Sequence, residues 1–195
     1  MSHPSIQILV ARYKEDVEWT KPLQNVIIYN KGEPLGEPYH EVFLPNVGRE
    51  GHTYYQFICD HYDTLMDYTI FVQGHPFDHS PYLIEHIERN LGLGWSNADF
   101  ECLSYKQFYC NLSGCFYHPG IPLIDTYERI FGERKTEMGF DFGAGAHFMV
   151  SKNSILKRPK SFYENIVKIL EYDVNPIEGF VVERFHKLIF THSTS

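Results

Sequence analysis

Tyr68-Thr-Ile-Phe-Val-Gln-Gly-His-Pro-Phe-Asp-His79 places a polar cluster directly after a hydrophobic run. Thr69 to Val72 is β-branched and aromatic, which favours a buried strand. Gly74 and Pro76 stop it. Gln73, His75, Asp78 and His79 stand at and beyond the stop. In an α/β domain, ligands bind outside the carboxyl ends of the strands. Imidazole and carboxylate groups gathered there suit a metal or a phosphate. A plainer reading stands beside this one. Ser80-Pro81 has the form of an N-cap followed by proline at the first helical position. Asp78 or Ser80 then only caps a helix over Pro81–Asn90, and the histidines are loop residues.

Outward from this stretch, strands and helices alternate. Ile6–Tyr13 reads as a first buried strand and Lys14–Trp19 as a short helix or turn. Asn25–Tyr29 is a second strand, Glu33–Pro38 is loop, and His40–Leu44 is a short third strand. The polar stretch Pro45–His52 leads into a helix. Tyr54, Phe57, Ile58, His61 and Tyr62 there recur with a period of 3.6 residues. Leu91–Thr136 reads as an irregular excursion, with short strands near Phe100–Tyr105 and a helix near Pro122–Phe131. Gly143–Ser151 is a glycine turn running into a strand. Helices over Ser161–Tyr172 and Phe180–Phe190 close the chain. The pattern predicts a single α/β domain over residues 1–195, with a mixed, mostly parallel, Rossmann-like sheet flanked by helices.

Composition narrows the function classes. The chain has 195 residues, 43% apolar and 22% charged, as an ordinary globular domain has. Its net charge of −8 argues against broad nucleic-acid binding, which needs a basic surface. Cys59, Cys102, Cys110 and Cys115 show no C-x-x-C pair. Cys59 falls on an apolar helix face, and the other three leave a disulfide open. Asn111-Leu-Ser113 matches a glycosylation sequon, which has no meaning in a cytosolic protein. No basic-then-apolar leader and no apolar run near the roughly 18 residues of a membrane span is present. The expectation is a soluble, cytoplasmic protein.

Several stretches together carry a resemblance. They are Ala11–Trp19, Tyr29-Asn-Lys-Gly32, Leu44-Pro-Asn-Val-Gly-Arg-Glu-Gly-His52, Phe71–His79, Gly145-Ala-His-Phe-Met-Val-Ser151 and Glu183-Arg184. The chain resembles, from Ile6 to Phe190, an uncharacterised domain-of-unknown-function family with the pattern of small GT-A-type glycosyltransferases. The resemblance implies a nucleotide-sugar-binding fold, with Arg12, Tyr13 and Asp16 at the donor nucleoside. It implies a divalent metal on the donor diphosphate, yet the matching strand ends without an Asp-x-Asp motif. It implies that Gly143–Gly145 shapes the acceptor side and that Glu183, read as opening a late helix, is the base. His192 is a loose metal candidate.

The residues suggest chemistry of their own. Asp78 with His75 or His79 could hold a metal. Imidazole favours Mn²⁺ over Mg²⁺, which prefers oxygen ligands. Arg49 and His52, read as a loop before a helix N-terminus, suit an anion, and Arg49 can grip a phosphate with two hydrogen bonds. Arg49 and Glu50 could equally be a surface ion pair. Gln73 joins the donor side, and Asp141 beside the glycine turn is a second candidate base. His147 reads as a packed histidine, and Trp95 as a packing anchor or a sugar-stacking face. The expectation is a glycosyltransferase moving sugar from a UDP- or GDP-sugar to a glycan or protein hydroxyl. One alternative is a metal-dependent phosphoesterase using His75, Asp78 and His79 with His52 or His118. Another is an inactive nucleotide- or sugar-binding module.

Overall fold

The structure, a computed structural model, describes residues 4–93 and 98–192. Trp95 lies outside them. The first four strands are β1 (Ile6–Arg12), β2 (Val26–Asn30), β3 (Glu41–Phe43) and β4 (Tyr68–Gln73), with α1 (Arg49–His61) before β4. After α2 (Leu83–Leu93) come β5 (Phe100–Cys102), β6 (Gln107–Asn111), α3 (Leu123–Phe131) and β7 (Gly139–Gly143). The chain ends with β8 (Phe148–Ser151), α4 (Lys152–Leu156), α5 (Lys160–Leu170) and α6 (Ile177–Thr191). Six strands form one sheet in the order β3-β2-β1-β4-β8-β5, and β6 pairs with β7 apart from it. β3, β2, β1 and β4 are mutually parallel, while β8 runs antiparallel to both β4 and β5. The predicted mixed, mostly parallel α/β sheet is thus the one observed.

Alternation along each strand divides the core in two, because successive side chains leave opposite faces of a sheet. Ile8, Val10, Ile28, Ile70, Val72 and Met149 pack on one face with Leu83 and Ile87 of α2. Leu9, Ile27, Tyr29, Phe71, Phe148 and Val150 pack on the other with α1, α3, α5 and α6. Both faces are buried, so the central strands read as continuous apolar runs.

Three sequence expectations need correction. The helix after the Pro45–His52 stretch starts at Arg49, not beyond His52. Gly48 supplies the turn into it, with φ +66, and Arg49 keeps φ +53. The last helix starts at Ile177, so Glu183 sits inside it and Glu178 occupies its first turn. The excursion contains a regular strand, β6, which pairs antiparallel with β7 just beyond it, from Gln107↔Gly143 to Asn111↔Gly139. Their flanking glycines and a thirty-residue separation hid the pairing, although Phe140-Asp-Phe142 alternates. Of the three cysteines left open, Cys110 and Cys115 form a disulfide, and Cys102 is free with Cys59. Disulfides persist chiefly in oxidising compartments, so this pairing does not favour the cytoplasm. Among the described residues, no helix is long and apolar enough to cross a membrane.

Candidate functional site

β1 has β2 on one side and β4 on the other. The strand order therefore reverses at β1, and a crevice opens outside the carboxyl ends at such a switch point. A cavity of about 360 Å³ lies there. The ends of β1 and β4 bring Arg12, Tyr13, Gln73 and His75 to it, and α1 brings Arg49, Glu50 and Thr53. Lys31, just past β2, completes one wall, and Glu15 and Asn175 reach its rim.

Two cations and a helix start meet on the α1 side. Lys31 Nζ donates to the carbonyls of Val47 (2.5 Å) and Arg49 (2.6 Å). An ammonium has three donors, so one remains for a ligand. Burial pulls the Lys31 pKa down to about 8, partly offset by the Glu50 charge. Arg49 lays its guanidinium over Phe180, 4.2 Å from the ring centre, and its Nε lies 3.7 Å from Glu50 Oε2. A non-glycine residue at positive φ costs about 1–2 kcal/mol. The Lys31 bond to its carbonyl and the Phe180 contact hold Arg49 there, and such strain gathers where a side chain must be aimed. No side chain caps α1. The Gly48 N–H donates to Asp173 O at 2.8 Å and the Glu50 N–H to its own carboxyl, and the helix dipole adds positive potential.

Glu50, which the sequence offered only as half of a surface pair, has a side chain only 10% exposed. Burial pushes its carboxyl up, Arg49 works against this, and the Glu183 charge adds to the rise. Three residues on, Thr53 is fully buried and its Oγ1 has no hydrogen-bond partner. Lys31 was legible as the first polar residue past a strand end. Glu50 was not, because it was read as loop before the helix, and Thr53 was not, because nothing local shows that its hydroxyl is buried without a partner.

The other expected donor residues serve elsewhere. Arg12 lines the crevice, but its guanidinium is committed to Glu15 O, Asn30 Oδ1 and Glu33 O at 2.8–3.0 Å. It braces the ends of β1 and β2. Asp16 is exposed and caps the following turn by accepting from Glu18 N–H at 2.9 Å. His52 is not in the crevice. It is 4% exposed, its Cβ lies against Gly48, and burial lowers its pKa to about 4. Its place in the donor set is corrected: one turn inside α1, it faces the core.

The expected metal ligands do not converge. His75 Nε2 and Asp78 Oδ1 are 3.6 Å apart, but Asp78 is 79% exposed. His79 turns away to lie against Gly145, with its ring 6.2 Å from that of His147. His118 Nδ1 accepts from Arg184 (3.1 Å), and its ring stacks on Phe180. His192 sits beside Glu133, Tyr127 and Lys135 at the far end of α6. Among the described residues, no group of three or more His, Cys, Asp or Glu is placed to hold a metal ion. The donor set therefore does not fit Mn²⁺ or Mg²⁺, and the phosphoesterase constellation is dispersed. His147 is packed as expected. Its Nδ1 meets Ser80 Oγ at 2.8 Å, and burial lowers its pKa to about 3.

Glu183 and Asp141, the expected bases, share a second cavity of only about 20 Å³. Glu183 Oε1 accepts from Gly145 N–H at 2.9 Å, and Oε2 lies 3.7 Å from Arg184 Nη1. Asp141 is exposed on β7, 4.0 Å from Lys187.

Fold and site together define an α/β protein with a polar, cation-bearing crevice at the switch point of its sheet. The family model described as "Protein of unknown function (DUF3431)" matches residues 8–111, just over half of the chain, and the chain belongs to that family. The matched span runs from β1 through β6 and includes the α1 wall of the crevice. No curated protein and no solved structure matches the chain.

Proposed function

We propose that the protein binds a UDP- or GDP-sugar in this crevice and transfers the sugar to a hydroxyl of a glycan or protein acceptor. The observation that carries the reading is the meeting of Lys31, Arg49 and the uncapped start of α1 at the carboxyl ends of β1, β2 and β4. A diphosphate needs such a wall: fixed cations and bidentate donors beside the positive end of a helix dipole. Tyr13, 41% exposed at the end of β1, offers a flat face to a base or ribose. The cavity volume of about 360 Å³ is that of a small-molecule site.

In the transfer, the acceptor oxygen forms a bond to the anomeric carbon as the bond from that carbon to the diphosphate oxygen breaks. The sugar passes through an oxocarbenium-like state, as in glycoside hydrolysis. Lys31 and Arg49 meet the charge that grows on the departing diphosphate. Because the histidine and aspartate donors are dispersed, no step is routed through a metal.

A thermal-shift screen of UDP, GDP, dTDP, CMP and their sugars tests the reading. A nucleotide at about 100 times its dissociation constant adds about 2.7 kcal/mol. Each kcal/mol raises the midpoint of a chain this size by about 2–4 °C. A selective shift of several degrees, with nucleotide released from the matching sugar donor, is the expected result. A shift without release leaves a nucleotide-binding module. No shift with any nucleotide overturns the proposal.

A further inference from the structure

We infer that Glu50, not Glu183, is the carboxyl that meets the bound ligand, and that it carries the proton exchanged at this site. The inference rests on the nucleotide-sugar reading of the crevice and adds its acid–base residue. Cavity geometry separates the two glutamates. Glu50 opens on the 360 Å³ crevice beside Lys31, Arg49 and Gln73. Glu183 opens on a space of about 20 Å³, room for about one water and no sugar.

Their partners separate them as well. Glu183 accepts a hydrogen bond from the Gly145 N–H at 2.9 Å. It ties the turn before β8 to α6 and acts as a positioning residue. The Glu50 carboxyl is met by its own backbone N–H, and among the described residues no side chain donates to it. Arg49 Nε, at 3.7 Å, lies outside hydrogen-bond range. Thr53 stands one turn along the same helix face, fully buried, with its hydroxyl unpaired in the crevice wall. A carboxyl and a hydroxyl three residues apart, both short of partners, suit a ligand hydroxyl that can accept from one and donate to the other.

The charges around Glu50 set its response to a ligand. Arg49 and the Tyr54 hydroxyl face it from α1, Lys31 from the end of β2, and Glu183 from α6, with Arg184 behind it. His75 and Glu15 lie farther round the crevice. An entering diphosphate draws Lys31 and Arg49 to itself and repels the Glu50 charge. The charge that grows as the diphosphate departs strengthens this repulsion, so the ionised Glu50 accepts the proton of the attacking hydroxyl during transfer and holds it in the complex with free UDP or GDP.

The test is calorimetric titration of the full chain with UDP and GDP at pH 7, in two buffers of different ionisation enthalpy. Wild type and Glu183→Gln should take up protons on binding, and Glu50→Gln should take up clearly fewer, Lys31 supplying only the small remainder. Uptake in Glu50→Gln equal to wild type, or binding without uptake in wild type, overturns the inference. Infrared spectra of the free protein give a second, ligand-independent readout. The first carboxylic-acid carbonyl band to grow in as the pH is lowered from 7 should be missing in Glu50→Gln and remain in Glu183→Gln. If no nucleotide binds, the functional reading falls by itself, and the infrared result still decides which glutamate holds the proton: a band lost only in Glu183→Gln, or absent from wild type, overturns the inference.

Discussion

The Gly145 N–H donates to Glu183 Oε1 at 2.9 Å, joining the turn before β8 to the middle of α6. Gly145 has φ +84, and a Cβ there would lie 2.5 Å from the His79 ring. The bond joins the turn to α6, and the packing of His79 on Gly145 brings in the loop after β4. Gly145→Ala meets both the left-handed backbone and the His79 ring. It should destabilise the protein by about 1–3 kcal/mol, read as a lower urea midpoint at unchanged slope. A midpoint equal to wild type would show that the turn can move without cost.

Arg49 separates binding from stability. Glycine relieves the positive φ at this position, while loss of the guanidinium removes the contact with Phe180. The two effects are each about 1 kcal/mol and opposed. Arg49→Gly should therefore melt within about 3 °C of wild type, yet bind UDP or GDP at least about tenfold more weakly, a loss of about 1.4 kcal/mol. Unchanged affinity would remove Arg49 from the site.

Lys31 makes nucleotide binding depend on pH. Its pKa is lowered to about 8 by burial. Below that pH it is a cation and attracts a diphosphate. As the pH rises through about 8 it becomes neutral and the attraction goes. Affinity measured from pH 7 to pH 9 should fall, and the fall should be absent in Lys31→Met, whose affinity is already low at pH 7. A flat profile in wild type would place the ammonium outside the binding interaction.

Three buried histidines set the acid limit of stability. His147 and His186 are lowered to about 3 and His52 to about 4, each first by burial. The ordinary value is about 6.5. Below it the unfolded chain takes up a proton that the folded chain refuses, so stability falls with falling pH. The loss starts near 6.5 and continues down to the folded values of 3–4. Each histidine contributes a slope of up to about 1.4 kcal/mol per pH unit. Unfolding free energies at pH 7, 6 and 5 should show it, and His186→Leu should reduce the slope by about one third. No change of slope would mean that His186 protonates freely in the fold.

The cysteines are unequal. Cys110 and Cys115 are paired, Cys59 is buried and Cys102 is half-buried. Burial raises the Cys59 thiol to about 11 and also raises that of Cys102, so both react slowly. Thiol titration of the oxidised, unfolded protein should find two free thiols, and four after reduction. Four before reduction would show that the pair is not formed.

Much of the fold was written in local sequence. Ile6–Arg12, Val26–Asn30 and Tyr68–Gln73 are apolar runs of strand length closed by polar or glycine residues, and burial on both faces demands such runs. The stop after Gln73 also located one edge of the crevice, because a strand end in a parallel sheet is where ligands can reach. Arg12, Tyr13, Arg49 and Gln73, which the sequence offered as donor-binding residues, line that crevice.

The sequence by itself determined the α/β class and the order of the strands of the main sheet, since these follow from periodicity and from the backbone limits of glycine and proline. Tertiary structure alone decided which side chains share a space. Asp78, His75 and His79 are neighbours in the chain, yet only His75 and Asp78 meet, at 3.6 Å, while the turn sends His79 away to Gly145. Glu50 and Glu183 are far apart in the chain, and packing of α1 on α6 places each within the field of the other while opening them to different cavities. Side-chain direction within a turn and the docking of one helix on another depend on the whole core, and local spacing carries neither.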